Sequence, residues 1–280
     1  MDRLLNVLIR LKDLDRRVLF IFVALAVAIP VLKPMGLPIR SSRESVDFHR
    51  ELTSLKAGDT ILFSFDYDPQ TRAELDPMTR VIWTTCFEKG VKIIALTLYP
   101  GGVGVADEIS KELAEIHGKT YGEDYLFLGY NPDWSGTMLR LGESFRKTYP
   151  TDQLGRETGS FPIMENVDSY ADTPLLVSVS SSAMAEYWAI WAGGKFGQKV
   201  ITGNTAIQAV LVYPYYYSGQ ISGFLGGLKG AAELEMLTGQ IGAATRGMDS
   251  QTTGHVLMVV FILLGNVAFL AERLRKRRAA

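Results

Sequence analysis

The sequence has few of the residues that build metal sites and covalent cross-links. It contains one cysteine, Cys86, and three histidines among 280 residues. A single cysteine excludes an internal disulfide framework and a cysteine-based zinc cluster. The histidines lie at 49, 117 and 255, none of them after a predicted strand, where a Ser-His-Asp triad in an open sheet would need one. Cysteine and histidine therefore give no reason to expect a metal site, and we expect no cofactor.

The chain also has almost no net charge, because charges of opposite sign cancel between its parts. Its 29 basic residues nearly balance its 30 acidic ones. Residues 1–33 and 255–280 are basic, whereas residues 34–254 hold 18 basic and 26 acidic side chains. An acidic middle with scattered basic residues argues against nucleic acid as a partner. The 47% hydrophobic content is too high for a disordered chain.

Two long apolar runs stand near the ends of the chain. One covers fifteen residues from Val18 to Leu32, and the other covers sixteen from Val256 to Ala271. A membrane-spanning helix needs about 20 residues, so each run must extend into flanking residues whose charged ends reach the interface. We predict transmembrane helices over 18–37 and 255–272. A buried core helix is the alternative for each run.

A cleaved signal peptide is a further alternative for the first run. The run contains Ala26-Val27-Ala28, which has the small-x-small spacing that a signal peptidase prefers. Before the run, residues 1–17 place leucines near helical spacing among basic residues. This pattern predicts an amphipathic segment on anionic membrane lipid, or a continuation of the first span.

The basic tail, residues 273–280, predicts the topology. It contains five basic residues, and Lys and Arg close to a span stay in the cytoplasm. Two spans put both termini on the same side, so we expect cytoplasmic termini in a cell membrane. The middle of the chain, residues 38–254, is then extracytoplasmic.

The middle of the chain alternates apolar runs with amphipathic segments. Predicted strands cover 60–65, 91–98, 125–130, 175–180 and 199–202; predicted helices cover 46–55, 72–89, 103–117, 135–145 and 183–196. Strands that are apolar on both faces and alternate with helices predict an α/β fold. We expect a mostly parallel sheet with helices on both faces, Rossmann-like or flavodoxin-like. Residues 148–172 are irregular and polar, which is typical of a functional loop or lid.

Residues directly after the strands are candidates for a ligand pocket, because ligands bind outside the carboxyl ends of strands in such sheets. The candidates are Asp66, Asp68, Gly101, Gly102, Tyr130, Asn131, Ser180, Ser181 and Asn204. Gly101 and Gly102 open a helix, where free N–H groups favour an anion, although a tight turn without ligand is the simpler interpretation.

Asp66 and Asp68 are the strongest chemical candidates. Two carboxylates two residues apart could bind a divalent cation if the chain bends after the strand. The spacing Asp-x-Asp-x-x-Thr resembles the nucleophile loop of haloacid-dehalogenase-type phosphatases, which implies phosphotransfer. It departs from that pattern because Pro69 and Gln70 precede Thr71. The alternative is an Asx-turn that ends the strand and caps the next helix.

Within residues 213–237, four glycines recur at spacings of four, four and three: Gly219, Gly223, Gly227 and Gly230. On one helix they would form a stripe that lets another backbone approach closely. This predicts contact with a neighbouring subunit or membrane span, or close packing of helix on sheet inside the domain. Asn266 is the only polar side chain of the second apolar run, where it could bond a partner helix or its own backbone.

The sequence favours a two-span membrane protein whose α/β domain serves binding and assembly as a scaffold, sensor or accessory subunit. Its expected partners are membrane lipid and either further copies of the chain or other membrane-protein subunits. The alternative is a membrane-tethered enzyme, such as a metal-dependent phosphohydrolase or sugar-active enzyme, that uses Asp66 and Asp68. A domain that only senses a ligand in the same pocket is the third hypothesis.

Overall fold

The computed structural model describes residues 15–279, with side chains through Arg273. The chain forms two compact units. One comprises residues 39–244, and the other combines the described residues of 15–38 and 245–279. Most of the predicted amphipathic segment 1–17 and most side chains of the tail 273–280 lie outside the described residues, so these two expectations stay predictions.

Within residues 39–244, six strands form one parallel sheet in the order β3-β2-β1-β4-β5-β6. The strands are β1 (Thr60–Asp66), β2 (Lys92–Thr97), β3 (Tyr125–Tyr130), β4 (Leu176–Ser180), β5 (Val200–Asn204) and β6 (Gly223–Gly226). This confirms the predicted α/β fold with a parallel sheet. The order is that of the doubly wound Rossmann arrangement and differs from the flavodoxin-like order.

Helices connect the strands and cover both faces of the sheet. They are α2 (Arg43–Ser54), α3 (Arg72–Glu88), α4 (Gly102–His117), α5 (Trp134–Arg140), α6 (Phe145–Thr148), α7 (Met184–Trp188), α8 (Ala206–Tyr217) and α9 (Gly227–Thr238). A π-helical segment, Ala189–Lys195, continues α7. The irregular region 148–172 contains only short 3₁₀ turns: Thr158–Ser160, Pro162–Met164 and Tyr170–Asp172.

Alternate residues of β1 face opposite sides of the sheet, as the period of a strand requires. On one side, the rings of Phe63 and Phe65 lie 5.6 and 5.5 Å from the ring of Trp83 in α3. On the other side, Leu62 belongs to a fully buried cluster with Trp188 of α7. All seven residues of β1 are buried. Asp66 ends the strand four residues after Leu62, so it lies on the same face as Leu62 and points to the Trp188 side of the core.

The prediction of one glycine-striped helix over 213–237 is wrong. This region contains the end of α8, the strand β6 and the helix α9. A Cβ on Gly223 would lie 2.3 Å from the backbone nitrogen of Phe48 in α2, and one on Gly230 would lie 2.9 Å from the backbone of Leu225. A Cβ on Gly227 would meet Ala206 at 2.8 Å, and Gly219, in the turn after α8, has open space around it. Close packing inside the domain therefore explains three of the four glycines.

The second unit contains α1 (Arg16–Leu32) and most of the long helix α10 (Ala243–Ala279). Among the described residues, Ala243–Arg273 is the one helix long and apolar enough to cross a membrane, judged by length and composition. The helix starts at Ala243, whereas the sequence predicted its start at 255, where the apolar run begins. The first predicted span appears as α1, whose 17 residues end at Leu32 before an extended segment. This helix is shorter than the about 20 residues that usually span a bilayer, so the membrane crossing of α1 stays a prediction.

Polar side chains of α10 bind the backbone of α1 and of the segment that follows it. The Asp249 carboxylate is buried and accepts hydrogen bonds from the N–H groups of Met35, Gly36 and Leu37 at 2.8, 3.0 and 3.1 Å. The Thr253 hydroxyl donates to the Ala26 carbonyl at 2.6 Å. From Asp249 to Thr253 along α10, the contacted residues move from 35–37 back to Ala26. The two helices therefore pack antiparallel, and we call this pair of helices the hairpin.

Candidate functional site at the carboxyl edge of the sheet

The strand order places the natural ligand crevice between β1 and β4. The chain leaves these two strands in opposite directions, and open α/β sheets bind ligands at such a point. Asp66, Ser180 and Asn204 end β1, β4 and β5 in one register across three adjacent strands. All three side chains are fully buried. The structure thus brings these three predicted residues together, but beneath the surface.

Asp66 is the central polar group of this edge, and three protein donors hold its carboxylate. One carboxylate oxygen accepts from the Leu98 N–H at 3.0 Å. The other accepts from the Ser178 hydroxyl at 3.1 Å and from the Trp188 indole N–H at 2.9 Å. Burial raises the pKa of Asp66, while these donors act in the opposite direction. Three donors compensate a carboxylate that would otherwise be costly to bury.

Tyr149 adds a second titratable group near Asp66. Burial, and then the charge of Asp66, raise the pKa of the Tyr149 phenol. Its hydroxyl is buried and has no hydrogen-bond partner. Beside it, the Trp188 ring is fully buried and donates to Asp66. Aromatic side chains therefore occupy the space next to Asp66 in this structure.

Asp68 does not share a ligand site with Asp66. One of its oxygens accepts from the Gln70 N–H at 3.0 Å and caps the 3₁₀ turn Pro69–Thr71. The other lies 3.5 Å from the Tyr99 hydroxyl. The two carboxylates thus contact separate sets of donors. For Asp68, the Asx-turn interpretation describes the structure.

The glycine turn after β2 is packed against the loop that follows β1. A Cβ on Gly101 would lie 2.6 Å from the Cβ of Asp68. A Cβ on Gly102 would lie 2.3 Å from the Phe65 carbonyl and 2.4 Å from the Thr97 hydroxyl. Protein atoms already fill the space that these glycines leave. The turn therefore allows the close approach of two loops.

Two other groups of predicted residues make local structure. The Asn131 side chain accepts from the Asp133 N–H at 3.0 Å, and Asp133 in turn caps α5 by accepting from the Gly136 N–H at 3.0 Å. That N–H and then the Arg140 guanidinium hold the pKa of Asp133 below its usual value. Tyr130, beside them, is 36% exposed.

The serines after β4 form a turn of their own. The Ser180 hydroxyl donates to the Ser182 carbonyl at 2.9 Å and accepts from the Ser182 N–H at 3.0 Å. The Ser181 N–H donates to the Asp66 carbonyl at 3.1 Å, which ties this turn to β1. The Asn204 amide donates to the Thr202 hydroxyl, while its buried oxygen has no hydrogen-bond partner.

Sequence reasoning missed the aromatic residues of this edge. Trp188 binds Asp66 from 122 positions along the chain. Trp134 and Tyr187 stack with ring centres 4.2 Å apart and planes 12° from parallel, and both are half-buried. All three lie in helices whose apolar pattern predicts only core packing. No local signal marked them, although Ser178 could have been found from the polar alternation in β4.

No protein-family model matches the chain, and no curated protein matches it. A solved structure described as "crystal structure of AibC" matches with 13% identity and a TM-score of 0.29. The match covers 88% of this chain and 55% of that one, so this chain spans about half the length of the chain it matches. A likeness this weak carries no functional argument. The fold alone describes the class of this chain: it is a doubly wound α/β domain with an apolar C-terminal helix.

Proposed function

We propose that this chain is a membrane-anchored protein whose α/β domain serves binding and assembly, as a scaffold, sensor or accessory subunit. The observation that carries the proposal is the state of Asp66. The one carboxylate at the centre of the ligand-binding edge is fully buried and accepts from three protein donors. A general base or nucleophile must instead present a free oxygen to the substrate. Asp66 therefore supports the architecture of the strand ends.

The alternative is a membrane-tethered enzyme that uses Asp66 and Asp68 to hold a metal ion and act on a phosphorylated or sugar substrate. A divalent cation would need oxygens from both residues in one coordination sphere. Asp66 accepts from Ser178 and Trp188, whereas Asp68 caps the turn after β1. Asp66 is fully buried among its donors, so a shared cation would have to enter space that protein atoms fill, which weighs against the enzyme.

The hairpin of α1 and α10 supports the membrane anchor. Apolar side chains of both helices are exposed, including Phe20 at 70% and Ile262 at 62%. Buried Asp249, just before the predicted span 255–272, satisfies three backbone N–H groups where the chain leaves α1. We infer that both helices cross the membrane, with both termini in the cytoplasm and residues 39–244 outside it. Membrane lipid is then one partner, and the acidic domain favours protein over nucleic acid as the other.

A titration of the full-length protein in detergent tests the proposal. We expect no saturable heat of binding for Mg²⁺ or Ca²⁺, and no turnover of aryl phosphates or aryl glycosides. Asp68→Asn is the matched variant, because Asp68 is the more accessible of the two carboxylates. Cation binding or turnover that disappears in both Asp66→Asn and Asp68→Asn, with circular dichroism unchanged, would overturn the proposal in favour of the enzyme.

A further inference from the structure

Helix α8 exposes an apolar face along its whole length. Four large side chains lie on this face: Ile207 is 83% exposed, Val210 67%, Leu211 52% and Tyr217 78%. Pro214, also exposed, falls between them. The steps of three and four residues place all five on one side of a helix. We call these five residues the α8 face.

The opposite side of α8 is fixed to the domain. Ala209 and Val212 are buried against the sheet. The Tyr213 hydroxyl donates to the Glu44 carboxylate of α2 at 2.8 Å, and the Tyr216 hydroxyl donates to Asp47 of the same helix. Two tyrosine hydroxyls of the helix thus point inward to partners, and the outward face carries mainly apolar side chains. A soluble surface helix has the reverse pattern.

The segment that contains the α8 face carries no charged residue, and charged side chains lie at its margins: Glu74 accepts from the Ala206 N–H, and Lys229 borders the same cleft as Val210. Residues 205–228 include no Asp, Glu, Lys or Arg. Helices that lie on membranes usually carry Lys or Arg on their polar face, and α8 has none. A charged face would repel its own copy across a two-fold axis, whereas an uncharged face is compatible with itself. The composition therefore favours a second copy of this chain over lipid as the occupant.

The size of the face agrees with this occupant. A helix of 12 residues is about 18 Å long. Five apolar side chains exposed to this degree present about 500 Å² per subunit, if a large side chain offers about 150 to 200 Å². Two such faces bury about 1,000 Å², the lower limit for a specific interface. Anchoring both copies in one membrane raises their effective concentration and lowers the affinity that association needs.

We propose that the α8 face binds the same face of a second copy, with the two helices crossing near Val210 and Leu211 on a two-fold axis. This contact rests in part on the proposed function, because it makes a second copy of the chain the partner in that assembly. It does not depend on whether the domain is catalytic: an enzyme could dimerise in the same way. A failure here would leave the metal-binding result untouched, so the two proposals fail separately.

Cross-linking in native membranes tests this contact with the full-length chain. Cys86 is fully buried, so a new cysteine is the reactive one. We expect Val210→Cys to form a disulfide-linked dimer on mild oxidation. Ile116→Cys on α4 is the matched control, because Ile116 is an apolar residue with a similar exposure of 65%. It should stay monomeric under the same conditions.

A charge on the face supplies the second readout. Val210→Glu should raise the dimer dissociation constant by at least about 100-fold in detergent, because the two-fold axis brings two unpaired carboxylates together. Ile116→Glu should leave that constant unchanged, and circular dichroism should show both variants folded. A monomeric wild type, or a dimer that Val210→Glu does not weaken, would overturn the proposal. A third result would also overturn it. An environment-sensitive dye can be attached to the new thiol of the Val210→Cys variant; if quenchers carried by lipids reach the dye and no cross-link forms, the α8 face lies against the bilayer.

Discussion

Asp66→Asn tests most sharply whether the carboxylate at the ligand-binding edge is structural. The substitution keeps the size and shape of the side chain but replaces one acceptor oxygen with an amide that can only donate. If the amide takes the position that faces Ser178 and Trp188, the hydroxyl can rotate, but the indole N–H cannot. If it takes the other position, the Leu98 N–H loses its acceptor. Either orientation leaves one buried N–H unsatisfied.

The expected loss follows from this geometry. An unsatisfied buried donor costs about 1 to 3 kcal/mol. The remaining hydrogen bonds weaken when their acceptor loses its charge, but the amide no longer carries the cost of burying that charge, and the second effect offsets part of the first. We expect the free energy of unfolding to fall by about 2 kcal/mol. For a unit the size of residues 39–244 this corresponds to a decrease in Tm of about 4 to 8 °C.

Thermal unfolding of the full-length protein in detergent measures the effect, with near-ultraviolet circular dichroism as the signal. Asp68→Asn is the control and should cost about 1 kcal/mol or less, because Asn keeps an oxygen that can cap the short turn at this half-exposed position. An unchanged Tm for Asp66→Asn would refute the reasoning. So would a larger loss in Asp68→Asn than in Asp66→Asn.

Three further predictions concern the loop, a glycine and the hairpin. Burial alone would raise the pKa of Asp152, but hydrogen bonds from Arg156 hold this pKa below 3.8. The stabilising contribution of the Asp152 carboxylate is therefore present above that pH and is lost as the pH falls below it. The difference in Tm between wild type and Asp152→Asn should shrink below about pH 4, and a constant difference would contradict this prediction. Gly223→Ala should lower the free energy of unfolding by about 2 kcal/mol in chemical denaturation, because its Cβ would lie 2.3 Å from a backbone nitrogen; Gly104→Ala, with open space around it, should be neutral or stabilising, and equal effects would be evidence against the packing argument. Asp249→Asn should speed amide hydrogen exchange in the segment after α1, because it weakens the hydrogen bonds to the N–H groups of Met35, Gly36 and Leu37; an unchanged exchange rate would count against a closed hairpin.

Much of the fold could be predicted because each strand carries its own signal. Five strands are short apolar runs between polar helices, and their positions agree with the structure to within about two residues. The sixth strand, Gly223–Gly226, has glycine at both ends and no β-branched residue. Its glycine at 223 is required by the backbone of α2, which is distant in sequence. Local pattern therefore predicted a helix where long-range packing dictates a strand.

The candidate site was predictable in place but not in role. Strand ends mark Asp66, Ser180 and Asn204, and the structure brings them into one register. Whether Asp66 is free or occupied depends on Trp188, which a sequence pattern cannot bring to it. The same limit applies to the apolar face of α8. Only the structure shows that one side is buried and the other exposed.

The central claim is that a membrane hairpin displays the α/β domain outside the cytoplasm. The direct test is labelling of single cysteines with a membrane-impermeant maleimide in intact bacterial cells. Burial raises the pKa of the Cys86 thiol to about 12, which leaves a silent background. One new cysteine replaces exposed Glu123 in the domain, and another follows Ala280 at the end of the chain. The account predicts that the domain cysteine reacts in intact cells and that the terminal one reacts only after lysis. The reverse pattern, or a protein recovered in the soluble fraction, would contradict it.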